Sequence, residues 1–362
     1  MADVSASDAI ELAAREAGLI IVGPDELTYS RRREGDGFVF LRADGKPVLD
    51  KRIIKRLHAL AIPPAYEDVR LAPNARAHLQ ATGKDAAGRV QYRYHPKWDL
   101  VRESMKVERL DALLRSLPAI RSRVSEDLSR RHLDRRKALA AGVALLDATH
   151  MRVGCDRYAK ANKSFGVSTL MKHHVEVGRS RVALRFIGKG GKDISCCVES
   201  PRLARALQRL LELPGRRLLK YRGTDNKVRF IRAEDINLYL SEIAGRPVSA
   251  KDLRALGACA AAAEKMINID PAESEAQQRR QIAGVMKDVS ERLANTPAIV
   301  RKSYVHAVVV EGFLSGDLHE AYEHARSRSG VRRVEKALGA LVKQHKTALL
   351  QSSVGISETT GN

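Results

Sequence analysis

The 362-residue chain is poor in aromatic side chains, which make up 4% of it with a single tryptophan. Its core must therefore be built by aliphatic packing, and a hydrophobic share of 44% is enough for a sizeable interior. There are only four cysteines, Cys155, Cys196, Cys197 and Cys259, and no Cys-x-x-Cys pair. Adjacent Cys196 and Cys197 suit neither a disulfide nor a zinc pair, so no disulfide framework and no metal site are expected, and a reducing cytoplasm fits. No stretch approaches the ~18 apolar residues of a spanning helix, so no membrane association is expected. The first residues carry Asp3, Asp8 and Glu11 where a secretory leader or transit peptide carries bases. No internal repeat of the solenoid kind is found.

Positive charge is in excess. The chain has 64 Lys and Arg against 43 Asp and Glu, a formal net charge of +21. Neutralising a polyanion releases condensed counterions, so a surplus of this size points to nucleic acid.

The length suits about two domains. Residues 38–41 read as a strand, 43–46 as a turn and 50–61 as a helix, with Ile53, Ile54, Leu57 and Leu60 at helical spacing and Pro63-Pro64 as its stop. Residues 69–71 and 90–94 read as further strands, separated by Gly83 and Gly88. From about residue 103 the pattern turns helical: Leu139, Val143 and Leu146 recur at spacings of four and three, as do Ile282, Met286, Val289 and Leu293. Segments 203–213, 236–243 and 331–349 are further helix candidates. Residues 175–177, 181–187 and 194–198 alternate as strands, the last two joined by a turn at 188–192. The expectation is an α+β chain: a small β-rich lobe over 1–103, a larger, mainly helical lobe with a β-hairpin over 104–350, and a disordered tail over 351–362. Residues 1–20 are also expected to fray.

Several chemistries lack their residues. The Gly-Lys pairs beginning at 45, 83, 188 and 191 are never followed by Ser or Thr, so no Walker A loop exists. His319 and His324 are five apart, about 500° around a helix, and cannot share a metal on one face. No cluster of carboxylates reads as a two-metal nuclease site. What remains is chemistry without metal or ATP, or none.

Five positions support such chemistry together. Arg152 follows the helix around Leu139–146. Lys189 lies in the 188–192 turn. Ser249 and Asp252 form a capping-box start that puts Arg254 in the second turn of a helix. Asn295 precedes Thr296, a natural N-cap, and Pro297, a natural first helical residue. Tyr304 follows two turns later. Two guanidiniums can grip a phosphodiester's non-bridging oxygens and an amide can add a hydrogen bond. A lysine can protonate a departing 5′ oxygen, and a tyrosine can hold the phosphate as an ester that conserves bond energy for resealing. Each residue alone also has a plain structural role: Arg152 a charge at a helix end, Lys189 a solvated turn, Arg254 a surface ion pair, Asn295 a cap, Tyr304 a half-buried core tyrosine.

The chain resembles the type IB DNA topoisomerases of the poxvirus and bacterial kind over nearly its whole length. The resemblance rests on Arg31-Arg-Arg33, Ala61-Ile-Pro-Pro-Ala65 and Gly88-Arg-Val-Gln-Tyr-Arg-Tyr-His-Pro96 in the first lobe. In the second it rests on Leu145-Leu-Asp-Ala-Thr-His-Met-Arg-Val-Gly154, Phe186-Ile-Gly-Lys-Gly190, Lys251-Asp-Leu-Arg254 and Asn295-Thr-Pro297 with Lys302-Ser-Tyr-Val-His306, in matching order. It implies that Tyr304 is the nucleophile that takes a DNA 3′ phosphate. Arg152 and Arg254 would stabilise the transition state, and Lys189 would be the general acid. Asn295, where many relatives carry histidine, would bond a phosphate oxygen. Gln91, Tyr92 and Tyr94 would contact DNA. The residues after Arg254 depart from the family's aromatic-containing version. The implied fold is a C-shaped clamp around duplex DNA. The implied reaction relaxes supercoils of both signs without cofactor, by a monomer with no obligatory protein partner, in the cytoplasm on nucleoid DNA. The rivals are a tyrosine recombinase, which usually carries histidine where this chain has Lys251, and a non-enzymatic basic DNA-binding protein.

Overall fold

The computed structural model describes residues 6–327 and 330–355. The chain divides into two compact units, 1–106 and 107–362, so the division falls inside one long helix.

The first unit holds α1 (Ala6–Glu16), β1 (Tyr29–Glu34), β2 (Gly37–Leu41), α2 (Lys51–Ala59), β3 (Glu67–Leu71), β4 (Leu79–Lys84), β5 (Val90–Tyr94) and the start of α3 (Trp98–Leu128). Its five strands form one antiparallel sheet in the order β2-β1-β3-β4-β5. Helix α2 starts where Asp50 accepts the N–H groups of Arg52 and Ile53, and its Leu57 packs with Phe40, Val48, Val69, Leu71 and Ala81.

Two expectations need correction here. Helix α1 occupies most of the segment expected to fray, because Ala14 and Leu19 bury themselves with Val101. Strands β1 and β4 were not legible as strands. β1 is polar because its first three residues are only half-buried and its last three are exposed, and β4 contains Gly83, which reads as a separator. A Cβ at Gly83 would stand 3.1 Å from Val69 and 3.2 Å from Tyr66, so the glycine allows a close approach within the sheet. Within the charged triplet 31–33, Arg32 and Arg33 are exposed and Arg31 is half-buried. Arg31 lies 4.1 Å over the Phe38 ring and donates to the carbonyls of Ile62, Pro63, Pro64 and Tyr66, which fixes the proline turn after α2.

The second unit continues α3 and adds α4 (Arg135–Thr149), α5 (Asp156–Asn162), β6 (Val175–Val177), β7 (Arg181–Ile187), β8 (Asp193–Glu199), α6 (Pro201–Glu212), β9 (Lys220–Arg222), β10 (Val228–Phe230), α7 (Ala233–Ala244), α8 (Ala250–Met266), α9 (Glu275–Arg292), α10 (Pro297–Ser303), α11 (Ala307–Ser315), α12 (Asp317–His324) and α13 (Arg333–Gly355). The expected hairpin is β7–β8, with β6 as a third antiparallel strand. A second hairpin, β9–β10, was not expected; its strands are three residues each, too short to leave a pattern.

Helix α8 is the centre of this unit, packed against α4, α7, α9, α11 and α13. Its run Ala258-Cys-Ala-Ala-Ala-Ala263 is buried on every face, and the small side chains let five helices approach one another closely. Helix α13 extends through Gly355, so the first five residues of the expected tail are helical, while 356–362 lie outside the described residues. All described elements together make an α+β protein. His319 and His324 lie on α12 and bond separate backbone carbonyls, those of Ile269 and Glu320. No described helix is long and apolar enough to cross a membrane.

Candidate active site

Arg152 stands on an extended stretch directly after α4. The helix stops because His150 turns left-handed, with φ 53°, and its N–H bonds back to Leu146. The stretch then pairs with 167–168: the Val167 N–H reaches the Arg152 carbonyl at 3.0 Å, and the Ser168 N–H reaches that of Val153 at 2.7 Å. A Cβ on Gly166 would lie 2.5 Å from the Arg152 carbonyl oxygen, and one on Gly154 2.8 Å from Thr169 Oγ1. Only glycine fits at either position.

Arg254 projects from the second turn of α8. That helix begins where the Asp252 carboxylate accepts both the N–H and the hydroxyl of Ser249. The guanidinium is 4% exposed, and it donates to the carbonyls of His150 and Leu293, not to a surface carboxylate. Its Nε–H has no partner in the protein. The donors left over are free to meet an anion. Burial, and then repulsion from Arg152, pull its pKa below the ordinary arginine value.

Tyr304 closes α10. Thr296 caps that helix by accepting the Ile299 N–H at 3.4 Å, with Pro297 behind it, and the Tyr304 N–H bonds to Val300. The Cys259 thiol of α8 lies 3.3 Å from the Tyr304 carbonyl oxygen, and the Arg254 guanidinium carbon lies 5.2 Å from the ring centre. Burial pushes the phenol's pKa up. The Arg254 charge and hydrogen bond, the Arg152 charge and the Asn295 amide outweigh it, and the phenol is left below the usual tyrosine value.

Asn295 is not a helix cap, since Thr296 takes that place. Its Oδ1 accepts from the Arg152 guanidinium, while its buried Nδ2 has no partner in the protein. An acceptor committed to Arg152 leaves the NH₂ group to face Tyr304. Lys192, on the β7–β8 turn, donates to the Asn295 carbonyl at 2.9 Å and ties the turn to this segment. The same turn carries Lys189, whose Nζ lies 5.9 Å from the centre of the Tyr158 ring. Gly190 and Gly191, both at positive φ, make the turn tight.

Arg152, Lys189, Arg254 and Tyr304 line one cavity of about 500 Å³, together with Tyr158 and Lys251. Segments far apart in the chain therefore bring four expected residues to one space, and Asn295 joins them through Arg152. Gln91, Tyr92 and Tyr94 lie in the first unit, on the edge strand β5. Gln91 is bound to Asp85 at 2.9 Å, while Tyr92 and Tyr94 are exposed, with stacked rings 6.3 Å apart.

Reading the sequence missed the supports. His150 supplies the carbonyl that holds Arg254, and its ring lies against α8 where a Cβ on Gly257 would come within 2.2 Å. The aromatic-free sequence after Arg254 leaves this room. Lys192 and Cys259 were missed as well. His150 stands inside the block that carries Arg152 and Lys192 inside the turn that carries Lys189, but nothing in the sequence marks what they bond.

The family described as "Eukaryotic DNA topoisomerase I, catalytic core" matches residues 96–322, more than half of the chain. The chain belongs to the type IB DNA topoisomerase family. The family described as "Bacterial DNA topoisomerase IB, N-terminal domain" matches residues 37–85. DNA topoisomerase 1B of Acanthamoeba polyphaga mimivirus is 29% identical over 294 residues, which cover 78% of this chain and 86% of that protein. DNA topoisomerase I of Monkeypox virus and DNA topoisomerase 1B of Vaccinia virus are each 22% identical over 240 residues, 66% of this chain and 73% of theirs. The catalytic-core match contains every residue of the cavity and ends before α13.

Proposed function

We propose that this protein relaxes supercoiled DNA as a type IB topoisomerase, with Tyr304 as nucleophile. The Tyr304 oxygen attacks a backbone phosphorus, the bond to the 5′ oxygen breaks, and Lys189 gives that oxygen a proton while the phenol proton passes to water. The product is a 3′-phosphotyrosyl ester and a free 5′-hydroxyl strand. The free strand rotates, and the same hydroxyl then attacks the ester and restores the backbone. The ester conserves the energy of the broken bond, so no ATP enters. Arg152, Arg254 and the Asn295 amide balance the charge on the five-coordinate phosphorus.

One observation carries this reading: two guanidiniums, a lysine and a tyrosine of lowered pKa share one cavity, with unpartnered N–H donors buried beside it. Duplex DNA as the substrate is supported by the family and by the charge of +21. Contacts from Gln91, Tyr92 and Tyr94 to DNA belong to the same proposal, supported by the two exposed rings on an edge strand. So do a clamp around the duplex, action as a monomer and a place on nucleoid DNA in the cytoplasm, which rest on the resemblance alone. The family match disfavours a recombinase and a non-catalytic DNA binder.

The test is relaxation of supercoiled plasmid in EDTA without ATP. Wild type is expected to relax it, and Tyr304→Phe is expected to bind DNA without relaxing it. Equal relaxation by the variant would remove Tyr304 from the reaction.

A further inference from the structure

Helix α13 begins after the catalytic-core match ends, yet it sends a fully buried carboxylate back into that core. The Glu335 side chain has no solvent exposure. Arg121 of α3 meets it with both terminal nitrogens, Nη1 to Oε2 at 2.7 Å and Nη2 to Oε1 at 2.8 Å. The same guanidinium grips Asp147 of α4, Nε to Oδ2 at 2.7 Å and Nη2 to Oδ1 at 2.9 Å. Asp147 lies in the last turn of α4, before His150 and Arg152. A second, more exposed chain starts from the same region: Arg332 bonds Glu335 at 2.8 Å and reaches Glu264 of α8 at 3.4 Å, and Glu264 reaches Arg292 of α9 at 3.5 Å. Arg292 immediately precedes Leu293.

The two chains end beside the two carbonyls that hold Arg254, those of His150 and Leu293. The first is largely buried, with a planar guanidinium fork between two carboxylates. The second is half-exposed and weakened by solvent. We propose that Glu335 is a positioning residue for the cleavage chemistry: acting through Arg121 and Asp147, it fixes the end of α4 and thereby the geometry of Arg152 and of the Arg254 cradle. Helix α13 is then a brace for the active site. This inference rests on the proposed function.

The physical demand is clear. Two guanidiniums stabilise a five-coordinate phosphorus only when their N–H groups meet its oxygens, and a small misplacement of such donors costs large factors in rate. The αL turn at His150 and the close approach of Gly154 to Gly166 make this segment a chain of short, directional links. Rotation of the α4 end would pass directly to Arg152. A purely structural carboxylate would instead affect the population of folded protein and leave each folded molecule at full speed.

The experiment uses full-length protein in excess over a nicked-duplex suicide substrate whose short 5′-hydroxyl leaving strand departs after cleavage. It records the rate of covalent adduct formation at saturating enzyme, below the melting temperature of every variant. Glu335→Gln is expected to slow adduct formation about tenfold or more, while DNA affinity, measured in the Tyr304→Phe background, changes less than about twofold. Asp147→Asn is expected to slow it likewise, and the double variant to be no slower than the worse single one, since both act through Arg121. A wild-type rate in folded Glu335→Gln, with only a lower melting temperature, would overturn the proposal. Should that variant not fold, Arg332→Gln, which loosens Glu335 from the exposed side, is expected to slow adduct formation about twofold to threefold, and an unchanged rate would overturn it equally. Wild-type adduct with none from Tyr304→Phe upholds the underlying reading, and absence of wild-type adduct sinks both, so the two failures are told apart.

Discussion

Tyr304 experiences two opposed influences whose balance decides its reactivity. Burial favours the neutral phenol, while Arg254, Arg152 and the Asn295 amide favour the phenolate, and the favouring groups win. The sign gives a prediction. With Arg254→Gln the largest of those favouring groups is lost, and the phenol's titration midpoint moves upward. Tyrosine ring-carbon NMR through a pH titration, with Tyr304→Phe identifying the signal, measures it. A midpoint unmoved by the substitution would mean that the arginine does not lower the phenol's pKa. Much at this scale was legible: Tyr304, Arg152, Arg254, Lys189 and Asn295 were all identifiable by residue type and neighbouring sequence. Their partners were not. Arg254 reads in the sequence like any surface arginine, and only burial against two carbonyls distinguishes it. The same holds for Arg31 and Arg121, whose importance comes from what lies opposite them.

The element that sets the site is the junction of α4 and α8. His150 ends α4 in the left-handed conformation, and its ring is buried against Gly257. Burial pulls the imidazole down to about 4, with Arg332 and Arg292 adding to the effect against the opposing Asp147 and Glu335. A folded-state pKa below the unfolded value means that the unfolded chain binds the proton more readily. The stabilisation is complete above about pH 6.5 and is lost as pH falls towards 4. From pH 7 to pH 5 this one group should account for a loss on the order of 2 kcal/mol. Urea unfolding at both pH values measures it, and in His150→Leu the pH 7 to pH 5 difference should shrink by that amount. An identical difference in the two proteins would show that folding does not lower the pKa of this imidazole. Helix starts were legible because caps are local: Ser249 with Asp252 and Thr296 with Pro297 stand where expected. Strands β1, β4, β9 and β10 were not: β1 is almost wholly polar, β4 contains a glycine, and β9 and β10 are three residues each, too short to leave a pattern.

Across the whole molecule, charge is the dominant quantity. The excess of +21 is too large to be spent on internal pairing, so a large share of the Lys and Arg side chains faces solvent or a polyanion. Each phosphate neutralised on binding duplex DNA contributes a slope of about −0.9 to the dependence of log K on log salt. With about 6–10 phosphates engaged, affinity should fall by roughly 10³–10⁵ between 50 and 200 mM salt. Fluorescence anisotropy with a short duplex and the Tyr304→Phe protein measures the slope without interference from cleavage. A slope near zero would remove electrostatics as the source of binding. The α8 core belongs to this scale too. Its alanine run bonds no substrate, but by letting α4, α9 and α13 close around it, it brings the carbonyls of His150 and Leu293 to the same guanidinium.

By itself the sequence determined what is local or additive. Net charge, helix caps, the kinds of reactive side chain and the short blocks of family resemblance depend on neighbours in the chain or on simple sums. Only the tertiary structure decided which arginine is buried and which is solvated, which way the Asn295 amide faces, and that a glutamate on the last helix reaches the end of α4. Those properties depend on groups distant in sequence, and the free energy of a buried charge is set by what surrounds it in space.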